Sequence, residues 1–203
     1  MRLVLCLTAL SVGLLGCDGG DPPADDDASI VLQDSGAEQP ACAAPTSGFG
    51  SSEGSKFSPF TLDRCDGSAY EFYGEAEGYC DASFTVVSIA AGWCGPCIRE
   101  AQVMEAQLTQ AYADQNVRVV VAVIQDEDYA APDAAFCQNW VDTYGLTNPV
   151  VMDPTQETGI YFPAGSLPAA LIVDSEGTIR YREYGYTEAL AGLTNTLDML
   201  LAE

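Results

Sequence analysis

Cys94 and Cys97 follow Trp93 and are separated by Gly95 and Pro96. Two thiols at that spacing on the first turn of a helix suit reversible disulfide exchange. Unpaired backbone N–H groups and the positive end of the helix dipole stabilise a thiolate there. Its pKa falls from about 8.5 to roughly 7 or below. Cys94 is therefore expected to attack, and Cys97, the more buried of the two, to resolve the mixed disulfide. Pro96 in the first turn gives up no N–H that the helix needs, and Gly95 leaves the Cys94 sulfur open. Glu100, three residues past Cys97, has two readings: a buried proton acceptor with a raised pKa, or an exposed acid near a helix start.

The elements that must position this pair alternate along the chain. Residues 84–90 (FTVVSIA) form a continuous apolar run rich in β-branched residues, as in a strand buried on both faces. A helical pattern follows the cysteines, with Ala101, Met104, Leu108, Ala111 and Tyr112 on one face through Asp114. Residues 117–124 give a second buried strand. Residues 132–144 read as a helix with Phe136, Trp140 and Tyr144 four apart, and Asp153-Pro154 ends a strand. Residues 169–173 and 178–184 are strands joined by the turn Asp174-Ser175-Glu176-Gly177. The last helix, 187–201, places Leu190, Leu193, Leu197, Leu200 and Leu201 on one face. Two short strands, 57–62 and 69–73, precede all of these around a turn at Asp66-Gly67. The order predicts an α/β fold, a central mixed sheet flanked by helices with a closing hairpin. It occupies residues 56–203.

Other chemistries fit these cysteines poorly. The chain has no histidine, so a zinc site would need Cys65 and Cys80 at a spacing unlike a zinc ribbon. Covalent haem attachment needs a histidine where Ile98 stands. Copper delivery on such a fold needs a wider cysteine gap and a histidine. Ala91 stands where a peroxidatic cysteine would have its threonine, so thiol peroxidase activity is a minor alternative. Asp126, Glu127, Asp128 and Asp133 lack the alternation and central glycine of a calcium loop and read as a solvated loop. No metal or cofactor is expected beyond the redox-active pair. Trp140 and Tyr144 read as core.

The segment Trp93-Cys94-Gly95-Pro96-Cys97 resembles the active-site pentapeptide of the thioredoxin superfamily. Gly165-Ser166-Leu167-Pro168 is similar to the cis-proline loop of that family. The resemblance implies that Pro168 lies against the dithiol and that the Leu167 backbone pairs with an incoming polypeptide as an added strand. It places Trp93 beside the attacking sulfur, shaping access together with Gly95 and Pro96. Glu100 and the extra N-terminal strand pair resemble membrane-tethered, extracytoplasmic thioredoxins of the TlpA/ResA type. One departure stands out: the buried acid of thioredoxin proper is replaced by Ser88, which cannot act as a base at neutral pH, so proton handling shifts to Glu100. The Gly-Pro pair resembles reducing members, so a reductase acting on protein disulfides, supplied by a membrane electron donor, is expected rather than an oxidase. The rival is a non-catalytic binding module on the same fold. A monomer is expected.

The remaining cysteines and the charge concern location. Arg2 followed by the apolar run 3–16 reads as a signal peptide, too short for a permanent span. Leu14-Leu15-Gly16-Cys17 resembles a lipobox, which implies acylation of Cys17 and a lipid anchor on the extracytoplasmic, periplasmic side of a bacterial membrane. Residues 17–55 read as that lipidated cysteine and a flexible acidic linker, broken only by Ile30, Val31 and Leu32. The formal net charge of −23, from 7 basic and 30 acidic residues, excludes nucleic-acid binding and a polybasic membrane contact. Apart from Cys94 and Cys97, the cysteines beyond Cys17 are Cys42, Cys65, Cys80 and Cys137. An even number suits structural disulfides in an oxidising compartment. Three pairings are open; Cys65–Cys80, which flanks the short strand pair, is favoured, leaving Cys42–Cys137.

Overall fold

The all-apolar run Phe84–Ala90 becomes β3, buried along its whole length. It can be buried that way only between two other strands with helices against its faces. The computed structural model, which describes residues 43–163 and 166–203, supplies both neighbours. β4 (Val117–Val123) runs parallel to β3, pairing Phe84 with Val117 through to Ala90 with Val123. β6 (Ala169–Asp174) runs antiparallel on its other side, with Ile89 opposite Ala169 and Ser88 opposite Ala170. β1 (Thr61–Arg64), β2 (Ala69–Glu71), β5 (Val150–Met152) and β7 (Ile179–Tyr184) complete one seven-stranded sheet in the order β2-β1-β5-β4-β3-β6-β7. The mixed sheet and its flanking helices are the expected α/β class, with the N-terminal strand pair at one edge.

β5 joins that strand pair to the rest. It lies parallel to β4 and antiparallel to β1. At three residues it is too short to show a period, although Asp153-Pro154 marks its end. Asp153 is fully buried there, where its carboxylate accepts N–H bonds from Glu157 and Thr158 and a hydroxyl bond from Thr158. β1 begins four residues later than expected; ahead of it Phe57 and Phe60 pack as a ring cluster with Phe72 and Tyr161, and the Phe60 carbonyl accepts the Phe72 N–H at 3.1 Å.

Helix α1 (Gly95–Met104) continues into a wider turn of π-helix at Glu105–Gln110. Helix α3 (Ala191–Leu201) buries Leu193 and Leu197, with Leu190 buried just before it. The turn that follows the π-helical segment is tied to α3 through the Tyr112 hydroxyl, which lies 3.0 Å from the Thr194 carbonyl and 2.8 Å from an Asp198 carboxylate oxygen. Helix α2 (Ala134–Tyr144) starts at Asp133, whose carboxylate accepts the Phe136 N–H at 2.8 Å. It ends at Gly145, whose φ of 62° closes the turn.

Two expectations need correction. Cys65 is bonded to Cys137, with Cα atoms 5.1 Å apart, so the favoured Cys65–Cys80 pairing and its Cys42–Cys137 remainder are both wrong. The physical reason is β5. Both sulfurs lie against the Val150 carbonyl, because β1 pairs with β5 and α2 packs on β5, which brings residue 65 to residue 137. Cys80 is also disulfide-bonded. Residues 48–55, expected in the linker, are instead held against β7: the Gly54 N–H donates to Ile179 O at 2.9 Å, and Lys56 bridges to Thr178. The leader 1–16, Cys17, Cys42 and Gly165 lie outside the described residues.

Candidate active site

β3 ends at Ala90 and the chain turns once, through Gly92 and Trp93, into α1. Cys94 is the N-cap of that helix. It has extended φ/ψ, and its Sγ accepts the Cys97 N–H at 3.2 Å, satisfying one of the orphan donors of the first turn. The sulfur therefore sits where the helix dipole stabilises negative charge. Pro96 falls in the first turn, as its missing N–H allows. Cys94 and Cys97 are disulfide-bonded to each other, with Cα atoms 5.2 Å apart. Cys94 is 3% exposed and Cys97 is fully buried, while Gly95 between them is open to solvent.

Strand register brings the second loop to the same end of the sheet. Because β6 is antiparallel to β3, its first residue, Ala169, pairs beside Ile89, and Pro168 precedes it next to the point where β3 leads into the cysteines. The Leu167–Pro168 peptide bond is cis. Both residues are buried. The Pro168 carbonyl accepts the Gly185 N–H at 2.8 Å, which ties the loop to the end of β7.

Glu100 is 2% exposed, on the same buried stripe of α1 as Cys97, Ala101 and Met104. The Ser88 hydroxyl, pointing from β3, donates to its carboxylate. Burial pushes the Glu100 pKa from 4.5 up to about 7; the Ser88 bond holds it down in part, and the nearby Glu183 carboxylate pushes it further up. Glu183 pairs across Ala170 from Ser88, so the three residues share one face of the sheet. Burial raises the Glu183 pKa too. Ser88, at the position where the resemblance led one to expect a buried acid, is thus hydrogen-bonded to the buried carboxyl of Glu100. A carboxyl half-ionised near neutrality can hold or release a proton at physiological pH.

Trp93 is fixed from the far side. Its indole N–H donates to the Gln125 side-chain carbonyl at 3.0 Å, and its ring stacks on Tyr129 with centroids 4.9 Å apart. Gly92 donates its N–H to Gln125 O at 2.8 Å. A Cβ at Gly92 would come within 2.6 Å of Glu127 N and 2.7 Å of the Asp126 carbonyl carbon, so only glycine permits this approach. The acidic stretch is a surface loop as expected, with Glu127, Asp128 and Asp133 exposed, while its neighbours Gln125 and Tyr129 tie it to Gly92 and Trp93. Gln125, Tyr129 and Gly92 were not visible as site residues in the sequence, because they act at a separation of some thirty residues and carry no motif. Arg99 also lies here, its guanidinium 5.5 Å from the Tyr186 ring centre. Among the described residues no group of acids and cysteines is arranged to hold a metal ion.

The geometry agrees with comparison to known proteins. The sequence matches the Redoxin family over residues 53–197. It is 29% identical over 87 residues to the thiol-disulfide oxidoreductase ResA of Bacillus anthracis, covering 43% of this chain and 46% of that protein. It is 30% identical over 106 residues to the thiol:disulfide interchange protein DsbE of Allochromatium vinosum, covering 52% and 53%. The matched stretch thus spans about half the length of these curated relatives. Among solved structures, a thiol:disulfide interchange protein of the thioredoxin family from Chlorobium tepidum superposes with a TM-score of 0.57 at 19% identity, covering 74% of this chain and 98% of that one. A DsbF homologue from Corynebacterium diphtheriae gives 0.57 at 20% identity, covering 71% and 86%. These structures share the thioredoxin-like fold. With a paired dithiol at a helix N-cap, a cis-proline loop beside it and a family match across most of its length, the chain belongs to the Redoxin family.

Proposed function

We propose that the protein is a thiol–disulfide oxidoreductase that exchanges disulfides with other proteins through Cys94 and Cys97. The observation that carries this reading is the Cys94 sulfur at the N-cap of α1, bonded to Cys97 and set at the sheet end where Leu167-Pro168 also lies. In the reducing direction, the Cys94 thiolate attacks one sulfur of a substrate disulfide and expels the other as a thiolate. The Cys97 thiolate then attacks Cys94 Sγ, releasing the second substrate thiolate and restoring the Cys94–Cys97 disulfide. Two electrons pass to the substrate, and a separate dithiol donor must return them.

In this reading Glu100 accepts the Cys97 proton, Pro168 shields the dithiol, and the Leu167 backbone aligns the substrate polypeptide. Reduction is the favoured direction. The segment 14–17 supports export and lipid anchoring through Cys17, which would hold the domain on the extracytoplasmic side of a membrane.

Insulin reduction with Cys94→Ser as control tests the activity. Turnover that depends on Cys94 supports it, and its absence leaves a binding module. The potential of the Cys94/Cys97 couple tests direction: below about −250 mV indicates a reductase, near about −120 mV an oxidase. Mass spectrometry of the mature N-terminus tests the anchor, since an unmodified Cys17 would contradict it.

A further inference from the structure

Tyr129 is one of the few large apolar side chains left open to solvent among the described residues, at 64% exposure. Its backbone adopts φ 64°, a left-handed conformation in which glycine or asparagine is at home and a bulky side chain is uncommon. A loop built only to connect β4 to α2 would place a small residue there. Two contacts hold it in place instead, and a third links them. The Gln125 side-chain amide donates to the Tyr129 carbonyl at 2.8 Å, the same side chain accepts the Trp93 indole N–H, and the Tyr129 ring stacks on the Trp93 ring at an interplanar angle of 15°. Gln125 is thus a clamp with two jaws, one on the loop and one on the residue next to Cys94.

We propose that Tyr129, with Gln125, is a positioning residue that locks Trp93 and makes with it a fixed aromatic ledge beside Cys94, selecting disulfides carried on extended polypeptide over small disulfides. This inference rests on the exchange activity proposed above. A stacked pair of rings with its outer face open offers a rigid surface to the backbone and side chains on either side of a substrate cysteine, at little cost in side-chain entropy. A small disulfide reaches the Cys94 sulfur without touching the ledge. The ledge therefore acts on polypeptide affinity and leaves the sulfur chemistry alone.

Tyr129→Gly and Tyr129→Phe test this against wild type. Glycine suits the left-handed backbone, so the loop keeps its turn while the ring is lost; phenylalanine keeps the ring and loses only the hydroxyl. Each protein is assayed with insulin and with bis(2-hydroxyethyl) disulfide under the same dithiothreitol regeneration, and Trp93 exposure is read by acrylamide quenching, to which the buried Trp140 contributes little. In Tyr129→Gly, kcat/KM for insulin falls about five- to tenfold through KM, as expected for one stacked aromatic contact. The rate on the small disulfide is unchanged, quenching rises, and Tyr129→Phe matches wild type. An unchanged ratio of the two substrates, an equal loss on both, or a phenylalanine variant that behaves like the glycine one would overturn the proposal. If wild type turns over neither substrate in a Cys94-dependent way, the exchange reading fails separately. Quenching then decides the lock: no increase in Tyr129→Gly refutes it.

Discussion

Two disulfides in this molecule share one kind of bond and differ in almost everything around it. Cys94–Cys97 spans 3 positions in sequence, sits at a helix N-cap and has the open Gly95 beside it. Cys65–Cys137 spans 72 positions and ties the end of β1 to α2 across β5. A cross-link restricts the unfolded chain in proportion to the logarithm of the loop it closes. The long one therefore holds the edge of the sheet, whereas the short one constrains little and can open and close without unfolding its surroundings. Chemistry follows the same division. The N-cap at Cys94 stabilises a leaving thiolate, and no such helix start serves Cys137, which lies one turn inside α2.

The largest expected effect separates the two. Replacing Cys65 and Cys137 together by alanine should lower unfolding free energy by about 4 kcal/mol, from the chain-entropy relation for this loop, while disulfide-exchange activity per folded molecule stays intact. Denaturant unfolding beside an insulin assay measures both, and a parallel loss of activity would break the division.

Glu100→Gln sharpens it, because here stability and chemistry should move in opposite directions. The Glu100 carboxyl has a folded-state pKa of about 7, above its ordinary 4.5. Between those values the unfolded chain releases the proton while the folded chain keeps it, so wild-type stability falls as pH rises through that window and levels off above it. The variant should lack this slope and be more stable at pH 8, by on the order of 3 kcal/mol. If Glu100 accepts the Cys97 proton as proposed, wild type should show a rise in disulfide-reduction rate near neutrality that the variant lacks. Denaturant melts and rate profiles from pH 4 to pH 9 check both signs.

Smaller effects test each region alone. Gly92→Ala forces a Cβ into the 126–127 backbone and should cost about 1–3 kcal/mol as an overpacked contact, with Trp93 fluorescence shifting as its clamp moves. Asp133→Ala removes the N-cap of the helix that carries Cys137 and should cost about 1 kcal/mol with no change in activity. An activity loss there would mean that the stapled edge and the exchanging end are coupled.

How much of this was legible in the sequence follows from the range of each interaction. Cys94, Gly95, Pro96 and Cys97 act on one another within a single helical turn, so spacing alone placed them. The buried runs at 84–90 and 117–124 declared β3 and β4 because a strand buried on both faces needs continuous apolar residues. The hairpin turn at 174–177 was readable from its residue types, and a positive φ at Gly177 bears this out. The partner of Cys65 was not readable, since it depends on a three-residue strand, β5, that brings distant segments together. Gln125 and Tyr129 were hidden for a related reason: the acids of their loop are solvated as expected, and nothing local marks the two residues that tertiary packing lays on Trp93. Glu100 fell between these cases. Its position three residues past Cys97 was plain, but its burial and its Ser88 and Glu183 neighbours follow from how α1 packs on the sheet, which brings in β3 and β7.

The most direct test of the central claim titrates the whole folded protein with a graded dithiothreitol redox buffer, then traps free thiols by alkylation and maps them by mass spectrometry. Cys94 and Cys97 should become alkylated together, in a step that leaves the fold intact, while Cys65 and Cys137 stay bonded until the protein unfolds. Opening of Cys65–Cys137 at the same or a less reducing poise, or a Cys94–Cys97 bond that resists reduction in the folded protein, would contradict the account.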